Sequence, residues 1–353
     1  MKYRGNILVA PLNWGLGHAS RCIPIIKLLL KYKFNPIIAS DGEALQLLVQ
    51  EFPELNRIEL PSYNISYSKN KHLLKFKMLI DSPKILKAIK AEKKMTSEIV
   101  KANNIIGIIS DNRPGVFNKK IPSVFITHQL KVMSGSTTWL TTSWHQKMIK
   151  HFDQCWVPDY KGPMSLSGEL SSLEIPKIKT KFIGTLSRFD RIICEETIDI
   201  LILLSGPEPQ RSMLEKKLTN SFKETTKTVV MVRGVIENES STEQRGNMKV
   251  YNFMLAEHLE TLINESAIVI SRSGYTSVMD FARLKKNVFF IPTPGQFEQQ
   301  YLAQHLEELR MAPFCQQEDF TIDKLEWLKD YEGVRELDYQ YNFKKLFSLF
   351  EGE

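Results

Sequence analysis

Several turns in this 353-residue chain carry residue types suited to anion binding and proton transfer. The first is Asn13-Trp14-Gly15-Leu16-Gly17-His18, which follows a short apolar run at 6–11. After it, from 19 to about 33, apolar residues recur at helical spacing. Gly15 and Gly17 leave backbone N–H groups open at a helix N-terminus, where the helix dipole favours phosphate or a developing anion. His18 stands at the same place and can take a proton near neutral pH. A tight turn with a surface histidine would have the same sequence, so both readings stay open.

Ser271-Arg272-Ser273-Gly274 occupies the corresponding place in the second half, again between a strand and a helix. Its hydroxyls and N–H groups, with those of Tyr275 and Thr276 opening the helix, suit a diphosphate. Asp280 follows about two turns into that helix, and carboxylates in nucleotide sites accept hydrogen bonds from ribose hydroxyls. On its own Asp280 reads as an ordinary solvated helix residue. Leu204-Ser205-Gly206-Pro207 supplies a third turn. Glu298-Gln299-Gln300 opens a further helix, and neutral amides suit sugar hydroxyls because each both donates and accepts. A polar helix start is the plainer reading of that triplet.

These turns need strands and helices to hold them. The sequence predicts strands at 6–11, 36–40, 105–110, 123–127 and 155–158, with helices at 43–51, 82–103 and 138–151 between them. Pro24 fits the first helix if that helix starts near Cys22 or kinks there. The charged stretch 185–196 has no clear periodicity and reads as a linker. Alternation then restarts, with strands at 198–204, 228–232, 267–270 and 288–292 and helices at 211–222, 276–284 and 298–309. Two βα-alternating halves, 1–184 and 185–353, imply two parallel sheets, each covered by helices on both faces. The last helix of the chain is free to pack back on the first half. Ligands in such folds bind at the C-terminal strand ends, here in the cleft between the halves.

Composition sets the function classes. Hydrophobic residues make up 42% and charged residues 25%, which excludes a disordered chain. No run approaches the roughly 20 apolar residues of a membrane span, and the opening residues lack a signal-peptide core. A cytoplasmic enzyme, soluble or peripheral on the inner face of a membrane, is the expectation. Cys22, Cys155, Cys194 and Cys315 are widely spaced and read as reduced thiols. Residues 1–184 carry 27 Lys+Arg against 13 Asp+Glu, whereas residues 185–353 carry 20 against 27. Between Lys69 and Lys94 nine lysines interleave with apolar residues. That segment suits an anionic membrane surface, and equally a solvated helix face. No nucleic-acid motif accompanies the basic charge. The absence of an Asp-x-Asp triplet predicts that no metal is needed.

Together, 271–282, Phe290-Ile291-Pro292 and Glu298-Gln299-Gln300 resemble glycosyltransferase family 28, whose best-known member is the lipid II GlcNAc transferase. The resemblance covers about 265–310. It implies a GT-B fold of two Rossmann-like domains and a UDP-sugar donor, such as a UDP-N-acetylhexosamine. It also implies inverting transfer without cofactor or metal to a glycan or lipid-linked acceptor. By position, Ser273 and Gly274 would bind the donor diphosphate, Asp280 the ribose, and Gln299 and Gln300 the sugar. His18 occupies the family's conserved histidine position in its first glycine loop, while Trp14 replaces a glycine. Thr127-His128-Gln129 falls near a second family segment. His18 is the expected base and His128 the reserve, with Gly15, Gly17 and Gln129 on the acceptor side. Gly15-Leu16-Gly17-His18-Ala19-Ser20-Arg21-Cys22 is also similar to the start of the UDP-sugar hydrolase of pseudaminic acid synthesis. A hydrolase is therefore the alternative, and a binding protein without catalysis the lesser one.

Overall fold

The computed structural model describes residues 3–63, 74–206, 208–235, 237, 239–337 and 341–351, without side chains for 74–83 and 136. The chain divides into two compact units, Met1–Leu186 with Asp338–Glu353, and Ser187–Leu337.

The first unit holds a parallel sheet of seven strands in the order β3-β2-β1-β4-β5-β6-β7. The strands are β1 (Asn6–Pro11), β2 (Asn35–Ser40), β3 (Arg57–Glu59), β4 (Ile105–Asp111), β5 (Ser123–Ile126), β6 (Gln154–Val157) and β7 (Lys179–Phe182). The central strands β1, β4 and β5 are buried over nearly every residue. They therefore read as continuous apolar runs, as strands of a parallel sheet covered on both faces must. β3 and β7 lie at the edges and are polar, which is why sequence patterning passes over them.

The helices are α1 (Gly17–Lys31), α2 (Gly42–Glu51), α3 (Leu74–Ala102) and α4 (Thr138–Ile149). α1 begins ahead of Cys22, so Pro24 lies in its interior and has no N–H for the carbonyl of Ser20. α3 begins eight residues before the expected 82 and carries Pro83 within it. Lys69 and Lys71 fall outside the described residues. Farther along α3, Lys84, Lys87, Lys90, Lys93 and Lys94 are all exposed, while Glu92 is fully buried.

The chain end returns to this unit as α9 (Phe343–Phe347) and a 3₁₀ turn at Ser348–Phe350. Phe347 and Phe350 are 1% and 3% exposed, and both pack on Trp156 and Phe34. A Cβ on Gly107 would stand 2.2 Å from the Phe350 ring, so glycine at that point of β4 is what lets the ring lie on the sheet. Burying each phenylalanine contributes roughly 1.5–3 kcal/mol.

The second unit holds six strands in the order β10-β11-β9-β8-β12-β13. They are β8 (Ile198–Leu203), β9 (Val229–Val232), β10 (Thr242–Arg245), β11 (Met248–Tyr251), β12 (Ser266–Ser271) and β13 (Asn287–Phe290). α5 (Gln210–Ser221), α6 (Ala256–Asn264), α7 (Tyr275–Leu284) and α8 (Phe297–Glu308) accompany them. The expectation of a wholly parallel sheet is corrected at one edge. β10 and β11 form an antiparallel hairpin closed at Gly246, whose φ is +60°. The polar, exposed residues of β10 give no apolar alternation to reveal it. Among the described residues no helix is long and apolar enough to cross a membrane.

Candidate functional site

Each unit gathers its candidate residues at the C-terminal ends of its parallel strands. In the first unit β1 runs into the glycine turn. Gly15 has φ +73° and open space where a Cβ would project, so its backbone is accessible. Asn13 is tied to Asp41 at 3.1 Å and accepts from the N–H of Ala44. Asp41 in turn takes Arg113 Nη1 at 2.8 Å, and Arg113 Nε reaches Glu92 at 2.6 Å. Tyr63 donates to the other Glu92 oxygen. This buried chain of charges holds the turn's first residue in place.

Gly17 opens α1 and sets His18 and Arg21 one turn apart on the same helical face. Both point at Asp111, the last residue of β4. His18 Nδ1 lies 2.8 Å from Asp111 Oδ1 and 2.7 Å from Arg21 Nη2. Arg21 grips the carboxylate in bidentate fashion through Nε and Nη2. Its Nη1 stands 3.2 Å from Nδ1 of His128, which follows β5 and is 4% exposed. Cys22 Sγ approaches the other side of Asp111 at 3.8 Å. The His18 side chain is 16% exposed and so remains within reach of solvent.

The electrostatics follow from this packing. Burial alone would raise the Asp111 carboxyl, but the Arg21 guanidinium and then His18 outweigh it and hold it at about 2. Burial and then Arg21 lower the His18 imidazole, against the pull of Asp111. Asp111 is thus a carboxylate, which only accepts hydrogen bonds. Asp111 Oδ1 and Arg21 Nη2 both meet His18 at Nδ1, so Nε2 is the ring nitrogen left facing away from this cluster. Behind them His145 of α4 has a buried Nε2 with no partner, and burial lowers it to about 4. Gln129 follows directly, its N–H bonded to Thr127 Oγ1.

In the second unit the turns after β8, β12 and β13 come together. Ser273 Oγ donates to the Gln299 carbonyl at 2.7 Å, and the Thr293 N–H donates to Gln299 Oε1 at 2.8 Å. A Cβ on Gly206, where φ is +100°, would stand 3.9 Å from Thr293 Oγ1. Gly206 is exposed, and Ser205 beside it is half-buried. Gly234, after β9, sits so close to the Leu204 carbonyl that a Cβ would be 2.5 Å from it. Gly274 caps α7 with open space where a Cβ would point, and Thr276 is partly exposed beside it.

Several expected roles look different in place. The fully buried Arg272 guanidinium donates to the carbonyls of Ile291, Pro292 and Gln210 and to Gln317 Oε1. Burial lowers it to about 9. These contacts make it a brace between turns. Tyr275 is 2% exposed, and the Gln299 side chain faces inward while Gln300 stays partly exposed. Asp280 is 5% exposed and accepts from Ser187 Oγ at 2.8 Å, with Arg188 Nε at 3.9 Å. Burial pushes its carboxyl up to about 6, against the pull of Arg188.

Sequence reasoning missed Asp111 and Thr293 and gave Arg21 no role. Asp111 ends a strand whose other residues are apolar or small, and that position was its only signal. Thr293 Oγ1 is buried without a partner at the junction of the turns. Among the described residues no group of three or more His, Cys, Asp or Glu is arranged to hold a metal ion.

Two Rossmann-like units of this topology define the GT-B fold, and solved GT-B glycosyltransferases share it. The glycosyltransferase of kitacinnamycin superposes with a TM-score of 0.63 at 12% identity, covering 93% of this chain and 90% of that one. VinC, solved in complex with dTDP, gives 0.54 at 12% identity, covering 98% and 99%. MurG of Acinetobacter baumannii gives 0.51 at 13% identity, covering 98% and 92%. Residues 203–331 match the family model of the glycosyltransferase family 28 C-terminal domain. No curated protein sequence matches the chain.

Proposed function

We propose that the chain is a glycosyltransferase that moves a sugar, an N-acetylhexosamine, from a UDP-sugar to a glycan or lipid-linked acceptor, with inversion and without a metal. The observation that carries this reading is the family 28 match over 203–331, which contains the convergent turns at Gly206, Ser273–Gly274 and Thr293. Backbone N–H groups at Gly274 and Thr276, opening α7, would receive the donor diphosphate and stabilise the charge that builds on the leaving UDP. Asp280 would exchange its Ser187 partner for a ribose hydroxyl, and Gln300 would meet the sugar.

His18 is the base in this account. With Nδ1–H held by Asp111, Nε2 takes the acceptor hydroxyl's proton as that oxygen attacks the sugar C1 and the C1–O bond to the diphosphate breaks. The net +14 charge of residues 1–184 favours an anionic or lipid-linked acceptor. The exposed lysines of α3 suit an anionic membrane surface on the cytoplasmic side. A hydrolase is the second reading. It is favoured by the way Arg21 and Cys22, the end of the motif shared with the UDP-sugar hydrolase, both converge on Asp111.

Thermal unfolding with a panel of nucleotide sugars tests the proposal. A donor at 100 times its dissociation constant stabilises by about 2.7 kcal/mol. A shift with UDP-sugars that Asp280→Ala diminishes supports the reading. No shift with any nucleotide sugar contradicts it.

A further inference from the structure

On the second unit a cavity of about 280 Å³ opens between α5 and the ends of β9 and β10, lined by none of Gly206, Ser273, Gly274 or Thr293. Its wall is unusually rich in donors. Arg233 and Arg245 enter from the sheet, and Lys216, Thr219 and Asn220 from α5. One carboxylate, Glu215, stands at its base and is 7% exposed.

Glu215 is already saturated. Its Oε1 receives Arg245 Nη1 at 3.1 Å and its Oε2 receives Arg211 Nη1 at 2.9 Å, while Arg233 Nε stands 2.9 Å from Oε1 as an ion pair without a hydrogen bond. Three guanidiniums therefore share a single buried negative charge. The other local carboxylates, Glu208 on Arg211 and Glu243 on Arg245, are more than half exposed and are screened by water. Arg233 faces Glu215 with an Nε that has no hydrogen-bond partner, so its guanidinium has donors to offer an acceptor, and Lys216 lines the same cavity. Thr219 Oγ1 is a buried hydroxyl with no partner. A buried unpaired hydroxyl is costly, and a guanidinium with unmet donors in a partly desolvated hollow suits an anion. An ion-pair brace alone would explain Glu215 but neither the unpaired Thr219 hydroxyl nor the unmet donors of Arg233.

We propose that this cavity binds a phosphate group. The planar guanidinium of Arg233 matches its oxygens, Arg245 and Lys216 add charge, and Thr219 gives one directional hydrogen bond. The volume exceeds that of a bare phosphate, so the group arrives either as inorganic phosphate or as a small phosphomonoester.

The test is calorimetric titration of the full chain with inorganic phosphate and, separately, with glycerol 3-phosphate, at constant ionic strength set by chloride. Titrations run with and without saturating UDP, so that binding at the proposed donor turns is counted apart. Saturable binding that persists with UDP present is expected, weakened at least about tenfold by Arg233→Gln, as for loss of a charge-assisted hydrogen bond. Thr219→Val keeps the side chain's shape and leaves the ion pairs intact, and it too should weaken binding. The tighter of the two ligands identifies the source of the phosphate group. No saturable binding, binding abolished by UDP, or binding unchanged in both variants would overturn the proposal. A chain that failed to bind UDP would leave this result readable.

Discussion

The Nδ1 atom of His18 lies 2.8 Å from Oδ1 of Asp111, and the same carboxylate is clamped by Arg21. Asp111 is buried, so it fixes the imidazole's direction and leaves Nε2 facing away from the cluster. His18→Ala should lower turnover by about 10²–10⁴-fold, the range for loss of a general base, with little change in stability. Asp111→Asn should lower turnover too, and it should also destabilise by about 3–5 kcal/mol because it leaves Arg21 as an unpaired buried charge. Turnover measured alongside urea unfolding separates the two. Full turnover in folded His18→Ala would remove it from the chemistry.

Asp111 and Asp280 make stability depend on pH in opposite directions. The folded Asp111 carboxyl, at about 2, sits below its ordinary 3.8, so its contribution is present above that value and lost as pH falls towards 2. Asp280, at about 6, sits above its ordinary 3.8. Its contribution is present below that value and lost as pH rises through 6, a change of roughly 3 kcal/mol. Between pH 4 and 6 the Asp280→Asn variant should therefore gain on the parent as pH increases, because asparagine has no charge to bury and can still accept from Ser187. Parallel stability curves in that window would show that Asp280 does not titrate this way.

The order of strands and helices was legible because parallel, doubly covered strands such as β4 and β12 are nearly continuous apolar runs. The turns were legible because Gly15, Gly206 and Gly274 punctuate strand–helix junctions. What stayed hidden was long-range pairing. Nothing local marks Asp111 as the partner of His18, 93 residues away, or Gln317 as the acceptor for Arg272. Exposed edge strands such as β10 carry no alternation, and the return of Phe347 and Phe350 to the first unit depends on Gly107, far off in sequence.

The neighbours Gln299 and Gln300 should behave differently. The Gln299 side chain holds the Thr293 N–H, so Gln299→Ala should cost about 1–3 kcal/mol of stability for an unmet buried donor. Gln300→Ala should leave stability nearly unchanged and reduce discrimination between epimeric donor sugars, read as the ratio of kcat/KM values. Equal stability losses in both variants would refute the division.

Arg272 offers a parallel contrast with the phosphate-binding role implied by its motif. Arg272→Met strands the carbonyls of Ile291, Pro292 and Gln210, so thermal unfolding should drop well before any effect on UDP affinity in the folded fraction. A stable Arg272→Met chain that no longer binds UDP would return Arg272 to the donor site.

The central claim is transfer, and the fate of the sugar tests it most directly. The purified chain is incubated in excess EDTA with a UDP-sugar labelled in the sugar, with and without a glycolipid and glycan extract, and UDP release is followed together with the label. The account predicts slow UDP release alone, acceleration by the extract, and label moving into the extract. Rapid release of free labelled sugar that the extract does not alter would contradict it in favour of hydrolysis.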